Sequence, residues 1–245
     1  MVLRVFWNVG AGLVHRALNK SAIKPGMAVR YPAVWKARPG FMDCDINLHL
    51  NNASYLFNME LARWHFSAST GILYHALKNR RTFLAGSQVI RYRHAIPPFR
   101  PYEIRSQIVF ADDTWIYFLQ QFQCPTTGKL YAEGLCRVTV REGKKVIPAS
   151  VMLEEVESER IELPTEMPDV VKEFLDWDTA SKVSMETIDQ RAKRELAAPS
   201  KNPSTLFKAA GVGEKTQETT TTSSGKQPAP RGFFANLTRS MNLPF

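Results

Sequence analysis

The chain has 245 residues, 44% of them hydrophobic and 22% charged, which is enough apolar side chain for one good core or two small ones and excludes a wholly disordered protein. Its formal charge of +9 points toward nucleic acid or an anionic membrane. The charge sits at the ends, however: residues 1–42 hold seven Lys/Arg and no acid, residues 197–245 hold six against two, and the body between them carries about −2, so a nucleic-acid footprint on the folded part is excluded.

The first element is the acid-free N-terminus. "VFWNVGAGLV" is about ten residues of mostly apolar character, too short to span a bilayer, and no small-residue cleavage site follows it. Arg4, Arg16, Lys20 and Lys24 around Val5, Phe6, Trp7, Leu13 and Val14 fit a basic amphipathic helix. Residues 1–27 are therefore expected to be a mitochondrial presequence, a membrane-associating helix, or a first helix that packs on the domain. The corresponding location is intracellular: mitochondrial or membrane-associated in the first two cases, cytoplasmic otherwise.

After Pro25 the pattern turns strand-like through "MAVRYPAVWKARPGF". From Asn51 to about Thr70, Tyr55, Leu56, Met59, Leu61, Ala62 and Phe66 recur near a helical period, and Thr70-Gly71 supplies a stop, with "ILYHALKN" adding a turn or two. Four strand-like runs follow, "TFLAGSQVIRYRHAI", "YEIRSQIVFA", "TWIYFLQQFQC" and "KLYAEGLCRVTVRE", separated by Pro, Gly and Asp breaks that predict consecutive antiparallel hairpins. Strand, long helix, then antiparallel meander is an α+β order, and this sheet alone can bury the stripe of the helix. The folded domain is expected over 28–148, with helices near 168–177 and 184–197 in an extension over 149–197. Residues 198–245, with "TQETTTTSSGKQPAPRG", have the composition of a disordered tail, apolar again at "FFANLTRSMNLPF".

Just before the helix lies "FMDCDINLHLNNASYL". In an extended segment Asp45, Asn47 and His49 project together while Ile46, Leu48 and Leu50 face the protein. A carboxylate beside an imidazole and an amide can act as base or nucleophile, and the N–H groups of the following helix can polarise a carbonyl. The same residue types also cap helices and make turns: Asn51 or Asn52 as cap, with Asp43 and Asn47 turning the chain, accounts for several of them. Asp45 and His49, several residues upstream, are harder to assign to a cap. Cys44, Cys124 and Cys136 are odd in number without C-x-x-C spacing, so neither a disulfide framework nor a zinc site is expected, and no cofactor is implied.

Asp43-Cys44-Asp45 followed by Asn47, His49, Asn51-Asn52 and Tyr55 resembles the motif of the hotdog-fold acyl thioesterases, the 4-hydroxybenzoyl-CoA thioesterase-like superfamily. The Asp-x-Asn-x-His window is similar to plant acyl-carrier-protein thioesterases, and "RPYEIRSQIVFADDTWIYFLQQF" resembles the strand pair of small single-domain members, including the member-6-like branch. The resemblance covers about residues 28–148. It implies a single hotdog fold, an antiparallel sheet wrapped round one long helix, and a homodimer with its sites between two copies. It further implies hydrolysis of a fatty acyl-CoA or acyl-ACP thioester with Asp45, Asn47 and His49 as the catalytic set. Asn51, Asn52, Tyr55 and Glu60 stand on the substrate side, Tyr55 also reading as packing and Glu60 as a supporting carboxylate; Cys44, opposite Asp45, reads as buried. Two alternatives stay open. Hotdog hydratases also pair Asp with His, but five positions apart, and here the spacing is four. A non-enzymatic acyl-thioester-binding or membrane-associated scaffold with a vestigial pocket is the other.

Overall fold

The computed structural model describes residues 2–19, 23–157 and 160–197. The chain divides into two units, Met1–Ala192 and Lys193–Phe245. Of the second, only 193–197 are described, and they are helical; the expected tail over 198–245 lies outside the described residues.

The long helix forms where local chemistry dictates. Helix α2 (Asn52–Thr70) begins at Asn51, whose side-chain oxygen accepts from the Ala53 N–H at 2.8 Å, and ends at Gly71, which takes the left-handed φ of 96° that terminates helices. Helix α3 (Ile72–Lys78) restarts immediately. Five strands, β1 (Ala33–Ala37), β2 (Arg81–Tyr92), β3 (Tyr102–Ala111), β4 (Ile116–Gln123) and β5 (Leu130–Glu142), form one antiparallel sheet in the order β1-β3-β4-β5-β2. A short β6 (Lys145–Ile147) pairs with the far end of β5.

The sheet order corrects the simple meander. The hairpins β3–β4 and β4–β5 are as expected, but β2 does not pair with β3; it crosses to the opposite edge and pairs with β5 from Arg81↔Glu142 to Tyr92↔Ala132. The connection at 93–101 carries Pro97, Pro98 and Pro101, which cannot continue a ladder and leave room for the crossing. The result is the expected hotdog arrangement. Met59, Phe66, Ile104, Phe122 and Tyr102 are fully or almost fully buried between α2 and the concave face of the sheet. Burying one ring such as Phe122 contributes about 1.5–3 kcal/mol.

Both faces of the sheet are covered. A second cluster, Tyr117, Leu135, Val171 and Phe174, lies on the other face beneath helix α5. The two helices expected near 168–177 and 184–197 are one, Asp169–Ala197; nothing between them breaks a helix. Arg137 of β5 reaches Asp178, in the third turn of α5, at 2.8 Å and lies 4.2 Å over the Trp115 ring. Helix α4 (Ala149–Glu154) precedes α5, and Arg81 forms a paired contact with Glu155 at 2.6 and 2.8 Å. Helix α4 and the first ten residues of α5 thus pack onto the domain, while α5 beyond Asp178 is largely exposed.

The N-terminus is a helix that packs on the domain. Helix α1 (Val2–Leu18) lies against α2, with Gly12 at the crossing. A Cβ there would stand 2.8 Å from both the Ala68 Cβ and the His65 carbonyl oxygen, so only glycine allows this approach. Gly12→Val is expected to push α1 off α2 at a cost of about 1–3 kcal/mol, read as a lower thermal midpoint and faster proteolytic loss of residues 1–24. An unchanged midpoint would mean that α1 is not held at this crossing.

Candidate active site

The segment 41–51 is a tight turn rather than an extended wall. A 3-10 turn (Phe41–Asp43) leads into Cys44, which bridges to Leu50, and the Asp45 N–H donates to the His49 carbonyl at 3.0 Å. The Leu48 N–H closes back on the Asp45 carbonyl at 3.1 Å, and Leu48 holds φ at 56°. That left-handed conformation costs a non-glycine residue about 1–2 kcal/mol, and the two closing hydrogen bonds hold it in place. The alternation expected from the sequence is therefore replaced: Ile46 and Leu48 are exposed and only Leu50 faces the core.

The turn brings Asp45 and His49 together. The Asp45 Oδ2 lies 3.5 Å from the His49 Nδ1, and Asp45 Oδ1 accepts from the Asn47 N–H at 2.9 Å. Both side chains are partly accessible, as a site that meets a substrate requires. The Asn47 side chain is exposed and makes no hydrogen bond among the described residues, so its amide is not joined to the pair. Burial and the neighbouring Asp43 and Asp45 push the half-buried Cys44 thiol up, which makes it a poor nucleophile.

The substrate-side residues separate into different roles. Asn51 spends its side chain on the α2 cap, and Asn52 opens the helix. The N–H groups of Ala53, Ser54 and Tyr55 are all engaged by Asn51; in the first turn the Asn52 N–H alone has no partner among the described residues. Tyr55 is buried, its ring 4.9 Å from Phe122 and 5.1 Å from Tyr92, and burial pushes its hydroxyl up to about 12. It packs. Glu60 is exposed and accepts from the Trp64 indole N–H at 3.2 Å.

Glu60 also marks the mouth of a cavity of about 200 Å³ between the middle of α2 and the sheet, lined by Phe66, Ile72, Phe83, Phe118 and Val138, with Arg63 and Gln88 as further polar groups. Asp45, Asn47 and His49 do not line it. Beside it, the fully buried Gln120 accepts from Arg63 at 2.6 Å and donates to Ser106 at 2.9 Å and to the Met59 carbonyl at 3.1 Å. Sequence reasoning did not find this network; Gln120 sharing a strand face with Phe118 and Phe122 was the available signal.

Asp43 was also missed as an anchor. It is buried, and Arg4 of α1 grips it through two contacts, Nη1 to Oδ1 at 2.5 Å and Nη2 to Oδ2 at 2.8 Å. The Gly40 N–H adds a third at 3.0 Å, and the Asn51 N–H donates to the Asp43 carbonyl at 2.9 Å. The guanidinium holds the Asp43 carboxyl below its ordinary range, outweighing burial. Helix α1 is thereby tied directly to the base of the Asp45–His49 turn. Among the described residues, no group of three or more His, Cys, Asp or Glu is placed to hold a metal ion.

The chain is similar to several known proteins. Protein THEM6 of Drosophila melanogaster is 39% identical over 100 residues, 40% of this chain and 51% of that protein. Protein THEM6 of Danio rerio is 33% identical over 101 residues, 41% of this chain and 50% of that protein. The chain thus spans about half the length of the curated relatives it matches. The crystal structure of the YbaW probable thioesterase from Escherichia coli aligns with a TM-score of 0.47 at 20% identity, covering 51% of this chain and 98% of that one. The pattern of one family, described as the thioesterase-like superfamily, matches residues 39–175, which take in the Asp45–His49 turn, α2, the sheet from β2 onward and the start of α5. With more than half of its length inside that match, the chain belongs to the thioesterase-like superfamily.

Proposed function

We propose that this chain hydrolyses an acyl thioester, of CoA or a carrier protein, to the free acid and thiol. The observation that carries the reading is the Asp45–His49 pair, 3.5 Å apart on a turn that abuts the start of α2. Asp45 serves as base for the attacking water or attacks the thioester carbon itself, and His49 fixes its orientation. The unpaired Asn52 N–H, at the positive end of α2, is the donor for the carbonyl oxygen as negative charge develops there. Asn47 has only its exposed position on the turn, from which it meets the thiol-bearing part of the substrate. The apolar cavity at Glu60 lies eight residues along α2 from Asn52, about 12 Å at the helical rise, and receives the acyl chain.

The same reading calls for a homodimer. Among the described residues strand β2, twelve residues long, pairs only with β5 and leaves its other edge open, and Phe41, Met42, Ile46 and Leu48 expose apolar surface around the reactive pair. A second copy adding its strand to that edge would cover both kinds of surface. His49 lies four positions after Asp45 rather than five, which counts against the hydratase reading. The test is thiol release from acyl-CoAs of graded chain length by the full chain, with gel filtration for the dimer. Steady release above the buffer rate supports the function; its absence across the whole range overturns it.

A further inference from the structure

Helix α1 is turned the opposite way from an ordinary surface helix. Its polar side chains face the protein: Arg4 grips Asp43, Asn8 accepts from the Trp35 indole N–H at 2.7 Å, and Arg16 donates to the Thr70 carbonyl at the end of α2. Its apolar side chains face out. At 100° per residue, Leu3, Phe6, Trp7, Leu13, Val14 and Leu18 fall on one arc of roughly 140° that contains no charged residue. All six are exposed, Leu3 by 84% and Trp7 by 77%. The fold does not use this face.

The charge around the face selects its occupant. Trp7 shares a groove with Arg4, Lys36 and Arg38; Lys36 and Arg38 are exposed on and just beyond β1 and make no ion pair among the described residues. The first 42 residues contain no acid, and Asp43, the first carboxylate after them, is taken by Arg4. In a two-fold dimer each copy would present the same cationic border to the other, without compensating carboxylates. An anionic lipid surface supplies both an apolar phase for the arc and phosphates for the border.

We propose that the outward face of α1 lies flat in the headgroup region of an anionic bilayer, with Trp7 and Phe6 inserted and Lys36 and Arg38 against lipid phosphates. The helix lies on the membrane rather than through it: among the described residues no helix is long and apolar enough to cross one. Because Arg4 joins α1 to Asp43, two residues before Asp45, docking holds the reactive turn next to the bilayer. The substrates that reach it are then long-chain acyl thioesters already partitioned into lipid. This last step rests on the thioesterase reading; the docking face does not.

Flotation of the full chain tests both, with neutral phosphatidylcholine vesicles and with vesicles containing a third phosphatidylserine. The wild type is expected to float with the anionic vesicles and less with the neutral ones. Phe6→Glu with Trp7→Glu, both at exposed positions, should lower the bound fraction about tenfold or more with an unchanged thermal midpoint. Lys36→Glu with Arg38→Glu should erase the preference for anionic vesicles. A wild type that stays unbound on both vesicles overturns the proposal, as does a Phe6/Trp7 variant that floats equally well. So does a variant that loses self-association instead, which assigns the face to a second copy. Thiol release from a long-chain acyl-CoA in the same samples separates the two readings. Hydrolysis without flotation overturns the docking face alone, and flotation without hydrolysis overturns the thioesterase reading and the delivery step with it.

Discussion

Asp45→Asn is expected to lower kcat/KM toward acyl-CoA by about a thousandfold, within the 10²–10⁴ typical of a lost general base, while the thermal midpoint moves by no more than about 2–4 °C. The reason for choosing Asn is geometric. Asp45 has two separable roles in the turn: its Oδ1 accepts from the Asn47 N–H at 2.9 Å, and its Oδ2 faces His49 at 3.5 Å. Asparagine keeps the first acceptor and loses the charge, so the turn survives and the base does not. Little stability is lost with the charge, because an exposed pair of this kind contributes about 1 kcal/mol at most. If Asp45 is only a turn former, the variant will keep its activity. Asp45→Ala, which removes both roles, should lose activity and also loosen the turn.

The largest stability effect is expected at the clamp between α1 and the turn. Arg4→Ala leaves the buried Asp43 carboxylate with the Gly40 N–H as its remaining side-chain contact, at a cost of about 2–3 kcal/mol. In a chain of this size that lowers the thermal midpoint by roughly 5–10 °C. Asp43→Asn should cost less, about 1 kcal/mol, since Arg4 is half-exposed and water can solvate what it loses. The pH dependence follows from the direction of the Asp43 shift. Its carboxyl is held below the usual range by Arg4, so the clamp contributes fully above the ordinary carboxylate pKa of about 4 and is lost as pH falls through the lowered folded value. Below about pH 4 the wild type should therefore lose stability more steeply than Arg4→Ala. Parallel acid titrations of the two proteins would remove the clamp from the account.

What the sequence disclosed follows from the range over which each feature is determined. The limits of α2 were legible because they are local: Asn51 caps, Gly71 terminates, and the apolar stripe between them has one period. The hairpins β3–β4 and β4–β5 were legible for the same reason, each having a short turn. The partner of β2 was not, because a strand's edge-to-edge choice depends on where the whole sheet curls, and nothing in Arg81–Tyr92 names β5. The shape of the reactive segment was misread at a single residue. Leu48 takes a left-handed φ that its side chain gives no hint of, and that one dihedral converts an extended alternation into a turn. The Asp45–His49 proximity survives the change; the common projection of Asn47 does not.

The Arg4–Asp43 clamp spans 39 residues and was invisible for want of any local pattern. Besides Gln120, a second missed feature was available. Ile116-Tyr117-Phe118-Leu119 is apolar on both faces of β4, which requires a cover on the outer face as well as the inner one, and α5 is that cover.

The central claim is that the Asp45–His49 turn hydrolyses acyl thioesters, and one side-by-side assay addresses it most directly. Thiol release is followed from acyl-CoAs of short, medium and long chain, with the wild type and Asp45→Asn at equal concentration. The account predicts steady turnover by the wild type on at least one chain length, and about a thousandfold less by the variant on that same substrate. Equal turnover by the two proteins, or none by either at any chain length, would contradict it.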